Sequence, residues 1–256
     1  FVREPRPEPW FATAAYITPH LPWVCDEKIS APFLAQGLSP DLARFYGSIA
    51  QMDAAIGRLL AGVRAAGQAD NTVVVFLSDN GMSHKAEADR ELAATDWAKR
   101  NVHGLRGHKA TVWENGIRVP LLVRWPGRIA PGERKQFGAV EDVLPTILDL
   151  AGLPVPAAIH GRSWKPLLEE KLTDWRDSFF YCYFYEKTSG SPMTTAVRTA
   201  DAKLIKYPGH DEWTEVFDLK ADPYETRNLA GDPAAADLRR KLEAEYDKQA
   251  KVIDFK

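Results

Sequence analysis

The sequence predicts an α/β protein with a mostly parallel sheet and flanking helices, followed by a smaller α+β subdomain with a short antiparallel sheet. An apolar strand-like run, a long amphipathic helix and a second apolar run come first, in the order of a βαβ unit. The second run, residues 72–78, is continuous rather than alternating, which is typical of a strand covered on both faces. Short aromatic and β-branched segments separated by turns follow residue 172 and indicate the antiparallel sheet.

Apolar spacing and turn residues define the elements of the first part. Residues 11–17 form a short apolar run that predicts the first strand, ending at Pro19. Ser39 and Pro40 form a helix start, and the apolar stripe behind them predicts a long helix that stops near Gly67.

The remaining elements are weaker or shorter. A further strand is expected over residues 119–125, weakened by Pro120, and a helix over residues 141–150. The predicted antiparallel strands and closing helix occupy residues 179–185, 197–199, 203–207, 215–219 and 235–252. We expect the join near residue 172, which gives an α/β region over residues 1–172 and a subdomain over residues 173–256.

The composition excludes several classes of protein. With 256 residues, 45% of them hydrophobic and 27% charged, the chain has an ordinary globular composition. The formal charge of -2 predicts no nucleic-acid partner. No apolar run approaches the ~18 residues of a membrane-spanning helix, so no span is expected. Cys25 and Cys182 have no metal-type spacing and predict neither a zinc site nor a disulfide framework.

The tetrapeptide Ser78-Asp79-Asn80-Gly81 directly follows the Val-rich run. Ligands in open α/β sheets bind beyond the carboxyl ends of the strands, where Asp79 and Asn80 would lie. Their carboxylate and amide oxygens are hard ligands that suit Ca²⁺ or Mg²⁺. Asn80-Gly81 also fits a hairpin turn. The polar, helix-prone stretch that follows is not a second alternating strand, which favours the metal site.

Residues 104–120 form a loop with glycines and clustered cationic donors, called here the 104–120 loop. Its glycines allow the backbone to approach a ligand, and Arg106, His108 and Lys109 would suit an oxyanion. Arg106 and His108 are the candidates for substrate binding. Taken alone, such a loop is more often a solvated surface than an anion site, so the hypothesis depends mainly on the neighbouring Asp79-Asn80 segment.

Glu114 and Arg118 lie four residues apart in the same loop. Opposite charges at this spacing in a helix form a salt bridge. We therefore expect this pair to shape the loop. His20, elsewhere, ends the first predicted strand between two prolines, a rigid position for an imidazole that could donate a proton. A lone loop histidine is usually only a surface residue, and the position of His20 at a strand end makes the two interpretations about equal.

In this order, the motifs resemble those of arylsulfatase-type sulfatases of the alkaline phosphatase superfamily. The resemblance is carried by Pro19-His20-x-Pro22, Ser78-Asp79-Asn80-Gly81, the stretch from Leu105 to Pro120, and the tail segment Asp222-Pro223-x-Glu225-x-Arg227-Asn228-Leu229. It covers nearly the whole chain. It implies an alkaline-phosphatase-like fold and hydrolysis of a sulfuric ester by a formylglycine- and divalent-metal-dependent mechanism.

The resemblance also implies individual roles. Asp79 and Asn80 would ligate a divalent cation, usually calcium, with magnesium as the other candidate. Lys109 would contact the sulfate and the bridging ester oxygen, and His20 would assist departure of the alcohol. The implied partner is a sulfated small molecule or carbohydrate. The implied compartment is the periplasm or the exterior, and the cytoplasm stays open.

The chain departs from the family pattern in places. The formylglycine arises from Cys/Ser-x-Pro/Ala-x-Arg, and the nearest candidate, Ser30-Ala31-Pro32-Phe33-Leu34, lacks the arginine. His108, Ala110 and Asn115 stand where glycines are often found. We therefore expect this chain to be the C-terminal part of a sulfatase, to require the missing N-terminal section of the same enzyme, and to be inactive alone.

Two other functions stay open. A metal and a cationic clamp suit any tetrahedral oxyanion, so the chain could belong to a phosphoester or phosphonate hydrolase of the same superfamily. The absent nucleophile would also fit a non-catalytic module that binds anions or glycans.

Overall fold

The computed structural model describes residues 1–4, 8–86, 90–171, 174–184 and 192–255. The chain divides into two compact units. The first unit comprises Phe1–Val74, His84–His103 and Trp125–Gly127, and the second comprises Val75–Ser83, Gly104–Arg124 and Arg128–Lys256. No helix within the described ranges is both long enough and apolar enough to cross a membrane.

The first unit contains helices α1 (Glu27–Ala35), α2 (Pro40–Ala65) and α3 (Ala94–Arg100). The predicted start of α2 is confirmed, because the Ser39 hydroxyl accepts a hydrogen bond from the Leu42 N–H at 3.2 Å. The apolar stripe of α2 packs into a core whose buried members are Trp23, Leu42, Phe45 and Ala86.

The predicted first strand over residues 11–17 was wrong. The segment has no strand structure, and Phe11, Tyr16 and Ile17 are exposed. A strand requires a neighbour that satisfies its backbone N–H and C=O groups. Among the described residues, no strand pairs with this segment.

In the second unit, β1 (Val74–Leu77) and β2 (Leu121–Arg124) pair in a two-stranded sheet, with the single-turn helix α4 (Glu114–Ile117) between them in the chain. Both strands were predicted. The expected burial of β1 on both faces is wrong, because none of its residues is buried and Phe76 is 38% exposed. An apolar run favours a strand, but burial depends on what packs against it.

Two short helices follow, α5 (Val143–Leu150) and α6 (Lys165–Leu168). The predicted helix over residues 141–150 is confirmed as α5, preceded by a 3₁₀ turn over Val140–Asp142. The buried Asp142 carboxylate accepts hydrogen bonds from the Arg162 N–H at 2.7 Å and from the Arg176 guanidinium at 2.6 Å. These bonds fix the chain that leads into the C-terminal sheet.

The predicted antiparallel sheet is confirmed. Its strands lie in chain order, β3 (Ser178–Tyr183), β4 (Thr194–Thr199), β5 (Ala202–Lys206) and β6 (Glu215–Asp218), and each is antiparallel to the next. The closing helix α7 (Ala236–Val252) is also confirmed. Residues 172, 173 and 185, on which the expected join and the end of one strand fall, lie outside the described residues, and the domain boundary stays a prediction.

Alternate residues of this sheet face two separate cores, as the two-residue period of a strand requires. One face packs with α7 around Val197, Leu204, Val216, Leu242 and Tyr246. The other face packs around Ala196, Ile205, Phe217, Leu219 and Val112. Because Val112 belongs to the 104–120 loop, the C-terminal sheet lies directly against the loop that carries Lys109.

Candidate active site

The turn at Asp79-Asn80 packs against the 104–120 loop within the second unit. The Gly81 N–H donates to the Gly116 carbonyl oxygen at 2.9 Å, and the Lys109 N–H donates to the Met82 carbonyl oxygen at 2.7 Å. These backbone bonds bring the predicted metal ligands and the predicted leaving-group lysine into the same part of the fold.

The approach of the two backbones is too close for a side chain at position 81. A Cβ atom on Gly81 would lie 1.8 Å from the Asn115 carbonyl oxygen and 2.8 Å from the Gly116 carbonyl carbon. Both neighbours are backbone atoms and cannot move aside as the end of a side chain would. Gly81 is therefore required by packing.

Substituting alanine for Gly81 should destabilise the protein by more than about 2 kcal/mol, because the backbones must separate to admit the methyl group. The matched control is Gly57→Ala in the exposed interior of α2, where nothing lies within 4 Å of the added Cβ. That variant should gain about 0.5–1 kcal/mol, since alanine favours helix. Urea unfolding followed by circular dichroism measures both, and equal midpoints would contradict the packing argument.

Lys109 lies in a tight turn from His108 to Thr111. The Thr111 N–H and hydroxyl both donate to the His108 carbonyl oxygen, at 3.0 and 2.7 Å, and His108 Nδ1 lies 2.7 Å from the Lys109 carbonyl oxygen. Ala110 adopts a left-handed conformation with φ +69°, which favours glycine. A glycine would adopt this conformation without strain, whereas here the residue is an alanine.

The functional groups of Asp79, Asn80 and Lys109 are available to a ligand. Asp79 is exposed, and Asn80 and Lys109 are half-buried. Within the part of the chain that the structure describes, the side chains of these residues form no hydrogen bond or ion pair. In the same loop, the charged groups of Arg106 and Glu114 do have protein partners.

The donor chemistry of Asp79 and Asn80 fits a hard divalent cation, since it offers a carboxylate and an amide oxygen. The described residues contain no group of three or more His, Cys, Asp or Glu side chains that could hold a metal ion. Calcium takes about six to eight oxygen ligands. Asp79 and Asn80 would therefore form only part of a coordination sphere.

Arg106 is held by the C-terminal sheet. Its Nη1 atom donates to the Glu225 carbonyl oxygen at 3.0 Å and lies 3.0 Å from Glu215 Oε2. Its guanidinium also stacks over the Trp113 ring, 4.3 Å from the ring centre. The structure thus gives Arg106 contacts within the protein, and substrate binding by Arg106 and His108 stays a prediction.

The salt bridge expected between Glu114 and Arg118 is absent from the described residues. Glu114 is buried and instead binds Arg198 through two hydrogen bonds of 2.9 and 3.1 Å, and Lys203 Nζ at 2.8 Å. Burial by itself would raise the pKa of Glu114, but the hydrogen bonds and charges of Arg198 and Lys203 outweigh it and lower the pKa to about 2. Helix α4 is one turn long and turns Glu114 inward, whereas Arg118 is exposed.

Sequence reasoning missed Arg198, Lys203 and Glu225 as partners of the loop. A signal was present, because Arg198 and Lys203 interrupt otherwise apolar strand segments. Charged residues are almost never fully buried without a partner, so such positions indicate a buried ion pair. The identity of the partner could not be read from the sequence.

His20 belongs to the first unit, whereas the other predicted site residues belong to the second. It is exposed, and its Nδ1 atom lies 2.6 Å from the Leu21 carbonyl oxygen. The adjacent Pro19 carbonyl accepts a hydrogen bond from Trp23 Nε1 at 3.1 Å, which anchors this segment to the buried Trp23. The role of His20 as a proton donor stays a prediction.

A cavity of about 330 Å³ lies elsewhere in the second unit. Leu77, Phe137, Trp164 and Tyr181 are among its lining residues, and none of the predicted site residues contributes to it. Burial raises the pKa of Tyr181 to about 12, so its hydroxyl stays protonated there. Asp79, Asn80 and Lys109 therefore lie outside this cavity.

Comparison with known proteins decides the family. Residues 1–153 match the family described as Sulfatase, and residues 103–252 match the family described as N-sulphoglucosamine sulphohydrolase, C-terminal. The chain belongs to the sulfatase family. Both matches include the 104–120 loop, and the first also includes His20 and the Asp79-Asn80 turn.

Individual relatives agree with this assignment. The sulfatase chain is 33% identical over 204 residues to an N-acetylglucosamine-6-O-sulfatase of Bacteroides thetaiotaomicron, covering 77% of the chain and 33% of the relative. It is also 33% identical over 211 residues to a multifunctional alkaline phosphatase superfamily protein of Trinickia caryophylli, covering 77% of the chain and 38% of the relative. The chain thus spans little more than a third of the length of these relatives.

A solved structure shows the same fold. It is that of a protein in complex with its substrate D-glucosamine-2-N,6-O-disulfate, and it superposes with a TM-score of 0.67 at 28% identity. The match covers 88% of this sulfatase chain and 45% of the other chain. The expected alkaline-phosphatase-like fold is therefore confirmed.

Proposed function

We propose that the natural protein hydrolyses a sulfate ester, with Asp79 and Asn80 as metal ligands and Lys109 and His20 as the groups that assist the leaving alcohol. One observation carries the proposal. In a chain of the sulfatase family, the residues directly after Asp79-Asn80 are joined to the 104–120 loop by backbone hydrogen bonds, one of them from the Lys109 N–H. The side chains of Asp79, Asn80 and Lys109 have no partner among the described residues.

Lys109 and His20 act on the bond that breaks. As the S–O bond lengthens, negative charge grows on the bridging oxygen. A fixed ammonium group at that oxygen stabilises the transition state more than the ground state, and a proton from His20 neutralises the departing alcohol. Both residues would raise the turnover rate more than they tighten binding.

Asp79 and Asn80 would hold a divalent cation, Ca²⁺ as the first choice for this donor set and Mg²⁺ as the second. When bound, such an ion supplies positive charge that polarises and orients the sulfate oxygens. Arg106 and His108 would border the same anion. The turn is braced for this task by a hydrogen bond of 3.0 Å from the Ser78 hydroxyl to the Asn80 carbonyl oxygen.

The nucleophile is the part that this sequence does not contain. No Cys/Ser-x-Pro/Ala-x-Arg pattern occurs in it. We infer that a further N-terminal section of the same enzyme supplies the formylglycine and that this chain alone does not turn over substrate. Sulfated saccharides are the favoured substrates, because a relative is an N-acetylglucosamine-6-O-sulfatase and a similar structure holds a sulfated glucosamine.

Hydrolysis of 4-nitrophenyl sulfate by the natural full-length protein tests this function. We expect turnover that a chelator abolishes and Ca²⁺ restores. Asp79→Ala should lower turnover at least about 10²-fold and remove the response to Ca²⁺, since it deletes a ligand and its charge. The control Asp53→Ala, at an exposed position of α2, should behave as the unmodified protein. An unchanged calcium response in Asp79→Ala would contradict the ligand assignment.

The second candidate function is phosphoester hydrolysis. It is favoured by the similarity to a multifunctional protein of the alkaline phosphatase superfamily. Turnover of 4-nitrophenyl phosphate measured beside the sulfate separates the two. A large preference for the phosphate would replace the sulfatase proposal.

A further inference from the structure

The backbone of Lys109 is fixed on one side by Met82, and the rest of its loop is fixed by the C-terminal sheet. Lys203, fully buried on β5, donates to the Val112 carbonyl oxygen at 3.1 Å. Glu225 Oε2 accepts a hydrogen bond from the Glu114 N–H at 2.7 Å. The loop segment that follows Lys109 is therefore held at two backbone positions, Val112 and Glu114, by side chains of the subdomain.

These anchors form one buried ion network. Lys203 Nζ lies 2.6 Å from Glu225 Oε1 and 2.8 Å from Glu114 Oε1, and Arg198 binds the Glu114 carboxylate through both oxygens. Glu225 and Lys203 are fully buried, and Glu114 is 2% exposed. The two cations balance the two carboxylates, which is the condition for burying such charges.

A buried ion network is not the only way to stabilise a sheet of this kind. Replacing a buried ion pair by packed apolar residues is often neutral or stabilising, whereas directional hydrogen bonds fix a unique arrangement. The bonds of this network end on the backbone of the loop beside Lys109. What they fix is therefore the position of that loop.

A rigid turn presents Glu225 to the loop. Asp222 accepts hydrogen bonds from the Thr226 hydroxyl at 3.0 Å and from the Arg227 N–H at 2.9 Å, and Asn228 accepts one from the Val216 N–H of β6 at 2.9 Å. Glu225 itself has a left-handed backbone with φ +57°, an uncommon conformation for a residue other than glycine. The tail segment from Asp222 to Asn228 thus places the Glu225 carboxylate against the 104–120 loop, where it accepts the hydrogen bond from the Glu114 N–H.

We propose that Glu225 and Lys203 are positioning residues for Lys109, through which the C-terminal subdomain places the Lys109 ammonium group at the leaving oxygen. This inference rests on the proposed function. It assigns a task to the tail segment, to which the proposed function gives none. The subdomain would influence the turnover rate in addition to packing against the 104–120 loop.

Glu225→Gln tests the proposal in the natural full-length protein. Glutamine keeps the shape but offers a single oxygen acceptor, so it cannot serve both Lys203 and the Glu114 N–H. We expect kcat for phenyl sulfate to fall about tenfold and kcat for 4-nitrophenyl sulfate less than about threefold, because a misplaced ammonium matters most for the poorer leaving group. KM should change little for either ester.

A double-mutant cycle with Lys109→Ala separates positioning from general damage. If Glu225 acts through Lys109, Glu225→Gln should have almost no further effect in the Lys109→Ala protein. The control is Glu245→Gln on α7, a hydrogen-bonded glutamate of the same subdomain that contacts Ser178 and Gln249 and not the loop. It should leave both rates unchanged. Equal losses for the two esters, or additive losses in the cycle, would overturn the proposal.

The same measurements distinguish failure of this inference from failure of the proposed function. If Lys109→Ala discriminates between the esters and Glu225→Gln does not, only the inference falls. If Lys109→Ala itself does not discriminate, the leaving-group role of Lys109 in the proposed function falls, and the inference falls with it, whereas turnover of 4-nitrophenyl sulfate still tests the hydrolysis itself. Should Glu225→Gln not reach the folded state by circular dichroism, Arg198→Lys replaces it, because it keeps the charge and loses the paired bonds to Glu114. An unaltered ratio of the two rates in Arg198→Lys would then overturn the inference.

Discussion

Lys109→Ala is expected to lower kcat for phenyl sulfate by about 10²–10³-fold, the loss typical of removing one group that stabilises a developing oxyanion. The loss for 4-nitrophenyl sulfate should be about tenfold, because the nitro group already stabilises the negative charge of the leaving phenoxide and less stabilisation by the ammonium group is needed. The prediction rests on the side chain of Lys109 having no partner among the described residues, beside a turn whose carboxylate is also uncommitted.

Steady-state kinetics on a series of aryl sulfates measures this effect as a steeper dependence of rate on leaving-group acidity. The control Lys220→Ala removes an exposed lysine from a turn of the same unit and should leave the series unchanged. A loss carried mainly by KM, equal across the series, would assign Lys109 to substrate binding instead.

Lys203→Met should lower the free energy of unfolding by about 3–5 kcal/mol, the range for breaking a buried ion pair by removing one partner. Glu114 would then keep Arg198 as its cationic partner, whereas Glu225, which is fully buried, would lose the ammonium group that lies 2.6 Å from its Oε1 atom. The control is Lys206→Met on the same strand, whose ammonium lies over the Tyr246 ring at 4.3 Å. That change should cost less than about 1 kcal/mol.

The destabilisation caused by Lys203→Met should be smaller at acidic pH. The ordinary pKa of Glu114 is 4.5, and the folded-state value of about 2 lies below it. Its contribution to stability is therefore present above about pH 4.5 and is lost as the pH falls toward about 2. Burial raises the pKa of Glu225 despite the opposing charge of Lys203, so this carboxyl also takes up a proton readily once Lys203 is gone.

Urea unfolding of both proteins between pH 7 and pH 3 measures the change. The difference in the free energy of unfolding between the unmodified protein and Lys203→Met should become smaller as the carboxylates are protonated, because an uncharged carboxyl group does not require a cationic partner. A difference that is constant with pH would show that lost packing, and not the unpaired charges, causes the destabilisation.

Part of the candidate site could be predicted from local sequence. Asp79 and Asn80 follow a strand directly, and Lys109 lies between a glycine turn and a helix start, so residue type and position suffice to single them out. The partner of Glu114 could not be predicted, because the nearby Arg118 satisfies every local rule. In the structure, Glu114 binds Arg198 and Lys203, which lie 84 or more residues away in the sequence.

The order of residues by itself determined where α2 begins, the strand before Asp79, the antiparallel tail and the groups able to carry chemistry, since capping, apolar period and side-chain chemistry are local properties. Packing decided the rest. Residues 11–17 have the composition of a strand and form none, since a strand exists only beside a neighbour that accepts its hydrogen bonds. The buried ion network behind Lys109 likewise appears only when strands β4 and β5 and the turn at Glu225 converge on one loop.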